Sequence, residues 1–381
     1  MSKIVLIHPQ AGVDWQSNSA IFAVELARRL DNYFEVVLLS GGECGSFSRP
    51  INSLASRSSG NKSLFKTAAA NRWFERPQTK IRHLTSFLPC LNYLLNNPAD
   101  LLLPLDGYSS LFIATCIRSI RQTPILSIDC HHRLSPEADL RRSLSLRPDR
   151  LITLNPMTTR QVRMLAPNQI VETIPFGIDP AEFTPEGKAI ATGLPKPCIM
   201  LSASLDRHNK QRIELVIKAV ARIPEASLLI CGEGADRDYF QSMGERLLGR
   251  QRCQVRAFAY AQMPQVYRSA NLFTSAAKQA PYGLKYVEAM ACGLPVVTAD
   301  NKVSRYLVGN AGIFCDVTDL DKYAKSLKLA LAKHWYQRQP RQNALRFSWQ
   351  GITLLYYQAV LKTIACRNQL TLANTQPSIR S

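Results

Sequence analysis

Apolar runs of strand length recur along this chain, and stretches long enough for a helix separate them. A strand and helix alternation of this kind favours parallel sheets covered by helices. The runs fall into two series, so the pattern predicts two doubly wound α/β units in tandem. The first series covers residues 4–7, 36–39, 101–105, 125–128, 151–154 and 171–174, and the second covers residues 198–203, 227–231, 255–258, 272–275, 296–299 and 312–315.

Prolines and glycines crowd residues 176–197, where no hydrophobic periodicity is visible. Such a segment is typical of a connection between domains, and a chain of 381 residues is long enough for two ordinary cores. We therefore predict domains over residues 1–180 and 181–348. An apolar helix is predicted for residues 349–365, and the polar residues 366–381 are predicted to be a loose tail.

The chain is strongly basic, with 47 Lys and Arg against 28 Asp and Glu and a net charge of +19. A charge of this sign favours anionic partners, such as a nucleoside diphosphate, a phosphate-linked acceptor or an anionic membrane surface. Nucleic acid is the competing partner, but no basic stretch is interleaved with aromatics in a recognised nucleic-acid module. We therefore expect no nucleic-acid binding.

No apolar run approaches the ~18 residues that a membrane-spanning helix needs. The apolar residues 4–7 are too few for the core of a secretory signal, which takes about 7–15, so they predict a first strand and a cytoplasmic protein. The 10 cysteines are scattered without a Cys-x-x-Cys pair, and several lie in apolar runs. This distribution favours reduced, buried thiols over disulfides or a zinc site.

Residues 49–82 do not follow the strand and helix alternation. The segment has one acidic residue, Glu75, and two apolar and aromatic pairs at 64–65 and 73–74. Two hypotheses remain open: contact with anionic lipid or a phosphate-rich acceptor, or a solvated helix whose aromatics pack inward. The first would place the protein at the inner face of a membrane. The basic residues are Arg49, Arg57, Lys62, Lys66, Arg72, Arg76, Lys80 and Arg82.

The most informative segment is residues 281–297. Gly283 allows a tight turn, and apolar positions at helical spacing then predict a short helix that Gly293 and Pro295 end. The N-terminus of such a helix attracts a phosphate through its N–H groups and dipole, while Glu288 lies one turn inside and can accept hydrogen bonds from a ribose diol. Lys285 opposes the helix dipole unless an anion is bound, which also favours a ligand. These features predict a nucleotide-sugar site.

Several further motifs accompany this segment in a fixed order: residues 174–179 (Ile-Pro-Phe-Gly-Ile-Asp), 229–234 (Leu-Ile-Cys-Gly-Glu-Gly) and 263–273. With them, the chain resembles the retaining glycosyltransferases of family 4 over roughly residues 100–335. The resemblance implies the GT-B architecture, in which two Rossmann-like domains face each other across a cleft. It also implies an N-terminal domain that binds the acceptor and a C-terminal domain that binds the nucleotide sugar.

The resemblance assigns roles to residues 202–212. In the family, an Arg and a Lys after the first strand of the second domain stabilise the departing diphosphate. Lys210 matches the lysine, whereas Ser204 stands where many relatives have Arg, so Arg207 or Arg212 is left to take that role. We expect Lys210 and Arg207 to act in catalysis.

A second departure concerns the carboxylate pair of the family, spaced Glu-x7-Glu. Glu288 matches the second carboxylate, which binds the ribose, but Ala280 stands where the first one contacts the transferred sugar. The resemblance also implies that Gly283 and Leu284 offer N–H groups to the distal phosphates, with Lys285 adding charge. Nucleotide binding is therefore a safer prediction than catalysis.

Other expected site residues lie at strand ends. Gly232 and Gly234 form a strand-to-helix turn that is either part of the site or a plain connection. The family resemblance places the base near Arg256 and Phe258. In the first domain the resemblance implies that His131 or His132, after the strand at 125–128, contacts the donor sugar and takes part in catalysis. It also implies that the loop of Gly12 contacts the ligands from the acceptor side, although this loop lacks the paired glycines of the family.

We expect no metal and no cofactor besides the donor. Asp236 and Asp238 spell Asp-x-Asp, but they fall just inside a predicted helix, where side chains at i and i+2 point apart. The prediction is a retaining, metal-independent glycosyltransferase that moves a hexose from a UDP- or GDP-sugar to a polysaccharide or glycolipid acceptor. The alternatives are a degenerate homologue without efficient transfer and a dinucleotide-dependent oxidoreductase; no Gly-x-Gly-x-x-Gly follows the first strand.

Overall fold

The computed structural model describes residues 1–13, 17–51, 77–105, 107–129, 136–207, 211–278, 283–335 and 339–375, with the backbone alone for 77–86, 136 and 368–375. The chain forms two compact units. The first unit comprises Met1–Pro175 and Thr353–Ser381, and the second comprises Phe176–Ile352. Residues 176–197, expected to connect two domains, thus belong to the second unit.

The first unit contains a parallel sheet in the order β3-β2-β1-β4, and a second parallel set in the order β5-β6-β7. A parallel bridge between Leu102 and Ile125 links β4 to the start of β5. The strands of the first unit are β1 (Lys3–His8), β2 (Glu35–Ser40), β3 (Ser48–Pro50), β4 (Leu101–Pro104), β5 (Leu126–Asp129), β6 (Arg150–Thr153) and β7 (Val171–Thr173).

Helices pack on the sheets of the first unit. The ring of Phe22 lies 5.8 Å from that of Tyr356, whose hydroxyl donates to the carbonyl oxygen of Ile174 at 3.2 Å. The C-terminal helix is therefore fixed to this unit from Thr353 onward. The helices are α1 (Asn18–Leu30), α2 (Pro77–Asn96), α3 (Tyr108–Arg121), α4 (Pro136–Ser145) and α5 (Pro156–Leu165), together with most of α13 (Trp349–Thr375).

The second unit has a single parallel sheet in the order β10-β9-β8-β11-β12-β13. Its strands are β8 (Cys198–Ser202), β9 (Ser227–Cys231), β10 (Cys253–Arg256), β11 (Leu272–Ser275), β12 (Val296–Ala299) and β13 (Gly312–Cys315). Its helices are α6 (Ile213–Ala221), α7 (Arg237–Leu248), α8 (Met263–Arg268), α9 (Leu284–Ala291), α10 (Lys302–Val308), α11 (Leu320–Ala332) and α12 (Gln339–Leu345). The predicted doubly wound α/β architecture is confirmed.

Successive residues of a strand point to opposite faces of its sheet. In β8 the side chains on both faces pack against helices. Ile199 and Leu201 pack with α6, α7 and α11 on one face, while Met200 packs with α8 and α9 on the other. The near-continuous apolar runs of the sequence follow from this two-sided burial. The short loops at the carboxyl ends of the strands then position the polar residues described below.

No helix in the part of the chain that the structure describes is long and apolar enough to cross a bilayer. None of the described cysteines is in a disulfide, and most of them are buried. Burial raises the pKa of the Cys90, Cys253 and Cys292 thiols to about 12. These thiols therefore behave as small apolar side chains.

Candidate functional site

The candidate site of the second unit lies where the strand order of its sheet reverses. From β8 the chain adds β9 and β10 on one side, and then β11, β12 and β13 on the other. Open α/β sheets bind ligands outside the carboxyl ends of the strands at such a reversal. The carboxyl ends here are Ser202 of β8 and Ser275 of β11, and helix α9 is the first helix after β11.

Helix α9 begins with a turn that requires glycine. Gly283 precedes the helix in the left-handed region at φ 52°, where other residues are strained. A Cβ atom on Gly283 would also lie 2.2 Å from the Cδ1 atom of Leu307. Since the first N–H groups of a helix have no partners within it, Leu284 and Lys285 direct N–H donors toward the N-terminal end. The start of α9 therefore has the donors expected for a phosphate.

Lys285 brings a positive charge to the end of β8. Its ammonium group donates to the carbonyl oxygen of Ser202 at 3.3 Å, and the side chain is partly buried. Burial lowers the pKa of Lys285 below the ordinary value of 10.5, and the charge of Glu288 acts in the opposite direction. A cation in this environment gains stability from a nearby anion, which agrees with the expected phosphate site.

Glu288 is buried, with 3% of its surface exposed. Its Oε1 accepts a hydrogen bond from the Tyr260 hydroxyl at 2.9 Å, and its Oε2 accepts one from the Tyr267 hydroxyl at 2.7 Å. Burial raises the pKa of Glu288, while these two hydrogen bonds and the charge of Lys285 oppose the rise. Both carboxylate oxygens are therefore already engaged by phenols, an arrangement that the sequence did not reveal.

Gly232 and Gly234 lie beside the loop that follows β8. A Cβ atom on Gly232 would lie 1.8 Å from the carbonyl oxygen of Ala203, and one on Gly234 would lie 2.2 Å from that of Leu205. Backbone hydrogen bonds from Ala203 to Cys231 and from Leu205 to Glu233, both 2.9 Å long, hold the two segments together. The glycines are thus required for close backbone approach at the edge of the site.

Arg207 is held at the start of helix α7. Its backbone N–H and its Nε both donate to the Asp236 carboxylate at 2.8 Å, and its guanidinium lies 4.6 Å from the centre of the Tyr239 ring. Its side chain is 47% exposed. Asp236 therefore compensates part of the charge that was expected to act on the leaving group, and Arg207 also fixes the loop to α7.

The segment expected near the base follows β10. The exposed guanidinium of Arg256 lies 4.8 Å from the centre of the partly buried Phe258 ring. The carbonyl oxygen of Arg256 accepts a hydrogen bond from the N–H of Gly232 at 3.1 Å. This bond joins the loop after β10 to the glycine turn after β9.

In the first unit, Gly12 forms part of the turn after β1, with φ 76°. A Cβ atom there would lie 2.6 Å from the carbonyl oxygen of Gly42 and 2.5 Å from the Sγ of Cys44. The turn therefore packs closely on the loop after β2, and this packing by itself explains the glycine.

Helix α9 brings together Gly283, Leu284, Lys285 and Glu288, and the turns beside it contain Gly232 and Gly234. Lys210, His131, His132 and Ala280 lie outside the described residues, as does most of the basic segment 49–82. Tyr260 and Tyr267 are additions, because nothing in the sequence signalled their contact with Glu288. Within the described part of the chain, no group of three or more His, Cys, Asp or Glu side chains could hold a metal ion.

Several solved structures share this fold. Sucrose-phosphate synthase from Thermosynechococcus elongatus superposes with a TM-score of 0.78 at 18% identity, over 96% of this chain and 100% of that chain. Anabaena HepE, solved in complex with UDP and glucose, gives a TM-score of 0.70 at 15% identity, over 95% of this chain and 100% of its own. The fold is that of the GT-B glycosyltransferases.

Residues 191–347 match the family model of the glycosyl transferases group 1. This match lies within the second unit, and it confirms the resemblance that the motifs of the sequence show. D-inositol 3-phosphate glycosyltransferase of Segniliparus rotundus is 28% identical over 218 residues, which cover 51% of this chain and 48% of that protein. The GtfA subunit of the UDP-N-acetylglucosamine–peptide N-acetylglucosaminyltransferase of Streptococcus gordonii is 28% identical over 134 residues, 34% of this chain and 25% of its own length. The chain thus matches about half or less of the length of these two relatives.

Proposed function

We propose that this chain is a retaining glycosyltransferase of family 4 that transfers a hexosyl group from a UDP- or GDP-sugar to a glycan or lipid-linked acceptor. The observation that carries the proposal is the position of helix α9 within a group 1 domain. Its N-terminus and the ammonium of Lys285 lie at the carboxyl end of β8, where a sheet of this order binds ligands. N–H donors and a cation at one point suit a diphosphate.

Transfer breaks the bond between the anomeric carbon and the diphosphate, and negative charge grows on the departing oxygen. Preorganised donors at that oxygen are the largest available help, at ~3–4 kcal/mol for one well-aimed donor. We assign this work to the N–H groups of Gly283 and Leu284, to Lys285, and to Lys210 by its family match. The positive charge of the chain would then perform the role that a metal ion has in other glycosyltransferases.

The names of the neighbours support a nucleotide-sugar donor. HepE was solved with UDP and glucose, and the pneumococcal O-GlcNAc transferase GtfA was solved with UDP and GlcNAc. We extend this to the present chain as a UDP- or GDP-sugar, with the diphosphate at the start of α9. The base would lie along the backbone between Arg256 and Phe258.

We assign acceptor binding to the first unit, with its basic segment 49–82 in contact with anionic lipid or a phosphate-linked acceptor. Co-sedimentation with anionic liposomes tests the lipid contact. Neutralising Arg72, Arg76, Lys80 and Arg82 together should release the protein from the liposomes. Unchanged co-sedimentation would remove the membrane assignment and leave the donor site untouched.

Two residues favour a second candidate function, a degenerate homologue that binds a nucleotide sugar or a partner protein without efficient transfer. Ala280 and the exposed Ser204 stand where many family members have a Glu and an Arg. A lost charge-assisted hydrogen bond costs about 1.5–3 kcal/mol, enough to slow transfer or change sugar preference.

Calorimetry with UDP, GDP and NAD, followed by a panel of nucleotide sugars analysed by mass spectrometry, tests the proposal. Binding of UDP or GDP with donor hydrolysis or transfer is the expected result. Binding without turnover across the panel would favour the degenerate form. Binding of NAD without UDP or GDP would overturn both.

A further inference from the structure

A cavity of about 670 Å³ lies at the outer edge of the second sheet. Residues 192–195, which precede β8, form one wall, and strand β10, the outer strand of the sheet, forms the other. The cavity thus lies toward the amino ends of these strands, whereas the donor site is expected at the carboxyl ends. Its volume is in the range of small-molecule sites, ~300–1,000 Å³.

Gln254 of β10 gives this cavity an unsatisfied acceptor. Its Oε1 is buried and has no hydrogen-bond partner in the part of the chain that the structure describes. A buried polar atom without a partner costs free energy, and native structures contain few of them. The last torsion of a glutamine is broad, so a small turn of the amide brings Oε1 to the cavity. A ligand with a hydroxyl group would satisfy it.

The edge of β10 is closed to a further strand at Val255. Its N–H donates to Oε1 of Gln241 at 2.8 Å, and its carbonyl oxygen accepts from the guanidinium of Arg237 at 3.5 Å. Side chains of α7 therefore occupy the backbone groups that an added strand would need. A small ligand fits this edge better than an extended peptide.

The charge of the lining favours an uncharged ligand. Arg250 brings a guanidinium to the lining, but this group lies 3.5 Å from the Glu245 carboxylate. Glu245 also accepts a hydrogen bond of 2.7 Å from Nε2 of Gln241. The neighbouring Arg252 donates to the carbonyl oxygen of Ala226 at 2.9 Å. Since these cations are already engaged, a phosphate gains little here.

We propose that this cavity binds a neutral carbohydrate, of the size of a monosaccharide or a disaccharide. A sugar has hydroxyl groups that donate and accept, and C–H faces that are apolar. Gln254 offers an amide, and the Thr192 hydroxyl accepts from the N–H of Leu194 at 3.3 Å and keeps its own hydrogen for donation. Leu194 and Pro195 add apolar surface for the ring. The inference goes beyond the proposed function, because this site needs no nucleotide.

Saturation-transfer NMR on the full chain tests the site with maltose, trehalose, cellobiose and chitobiose, and with glucose 1-phosphate as the anionic comparison. We expect transfer to at least one disaccharide. Thr192→Trp, which fills the cavity, should abolish this signal. Gln254→Leu should weaken binding of the same sugar roughly 3- to 10-fold, the loss of one hydrogen bond. Gln350→Leu, the same change at an exposed position of the second unit outside the cavity, is the control and should bind normally.

No transfer to any disaccharide, a signal that survives Thr192→Trp, or an unchanged affinity in Gln254→Leu would overturn the carbohydrate site. Tighter binding of glucose 1-phosphate than of the disaccharides would overturn the neutral class. If the melting temperature shows that Thr192→Trp does not fold, Gln254→Leu decides. Gln254→Leu should bind UDP like the wild type. A wild type that binds neither UDP nor GDP would overturn the proposed function and leave the sugar test standing, so the two failures are distinguishable.

Discussion

The ammonium group of Lys285 and the carbonyl oxygen of Ser202 form a hydrogen bond of 3.3 Å that joins the first turn of helix α9 to the end of strand β8. The bond places a cation at the reversal point of the second sheet, beside the N–H groups that begin the helix. An ammonium has three donors, so one bond to a carbonyl leaves capacity for a phosphate. This relationship turns a helix N-terminus into a candidate diphosphate site.

Replacing Lys285 with Met should weaken UDP binding about 10- to 100-fold, because a charged hydrogen-bond donor to phosphate is lost. The melting temperature should change little, because the cost of burying the ammonium is removed together with its attraction to the buried Glu288 carboxylate. Lys218→Met, the same change at an exposed position of α6 in the same unit, is the control and should bind UDP normally. Equal affinities for all three proteins would show that Lys285 has no part in binding.

The affinity for UDP should fall as the pH rises. Burial holds the pKa of Lys285 in the free protein below 10.5, so its charge is lost at lower pH than that of an exposed lysine. A bound diphosphate raises that pKa, and binding therefore becomes coupled to proton uptake in this range. Calorimetric titrations between neutrality and pH 10.5 should show the fall for the wild type and a flatter profile for Lys285→Met. Parallel profiles would assign the fall to another group.

Gly283→Ala should destabilise the protein and weaken nucleotide binding. The left-handed conformation costs about 1–2 kcal/mol for a residue other than glycine, and the new methyl group would collide with Leu307. Urea unfolding of Gly283→Ala, Leu307→Ala and the double variant separates the two effects. We expect the double variant to lose less free energy of unfolding than the sum of the single losses. Strict additivity would mean that the contact with Leu307 contributes nothing.

Lys210→Ala should reduce turnover by ~10²-fold or more, as expected for the loss of one donor that acts on the leaving group. Arg207→Ala should have a smaller effect, because Asp236 already compensates part of the charge of Arg207. Steady-state kinetics at saturating donor gives both values. Near-normal turnover of Lys210→Ala, or a larger loss of turnover in Arg207→Ala, would contradict the assignment of Lys210 as the main donor to the leaving group.

Ala280→Glu restores the carboxylate that the family places eight residues before Glu288. If that carboxylate contacts the transferred sugar, the variant should turn over a donor faster or prefer a different sugar, by up to about 10- to 100-fold. Ala280→Gln, which has the same shape without the charge, is the control. An unchanged donor profile in Ala280→Glu would indicate that this chain holds the sugar in another way.

Apolar runs in the sequence predicted the strands correctly where both faces of the sheet are buried. The apolar run at 272–275 forms β11, and the run at 296–299 forms β12, since a strand in the middle of a covered sheet buries nearly every residue of such a run. The short strand β3 (Ser48–Pro50) was not predicted, because it has no apolar run and exists through its pairing with β2. Strand β3 forms because its backbone pairs with that of β2, and its own side chains give no signal of a strand.

The sequence by itself determined the resemblance to glycosyltransferases, the alternation of strands and helices in two units and the glycine that begins α9, because each depends on residues close together in the chain. The partners of the polar groups were decided by tertiary structure alone. Tyr260 and Tyr267 lie 28 and 21 residues before Glu288, and Ser202 lies 83 residues before Lys285. A hydrogen bond needs its donor and acceptor within about 3.5 Å, and only the folded chain fixes distances of that size between residues so far apart in sequence.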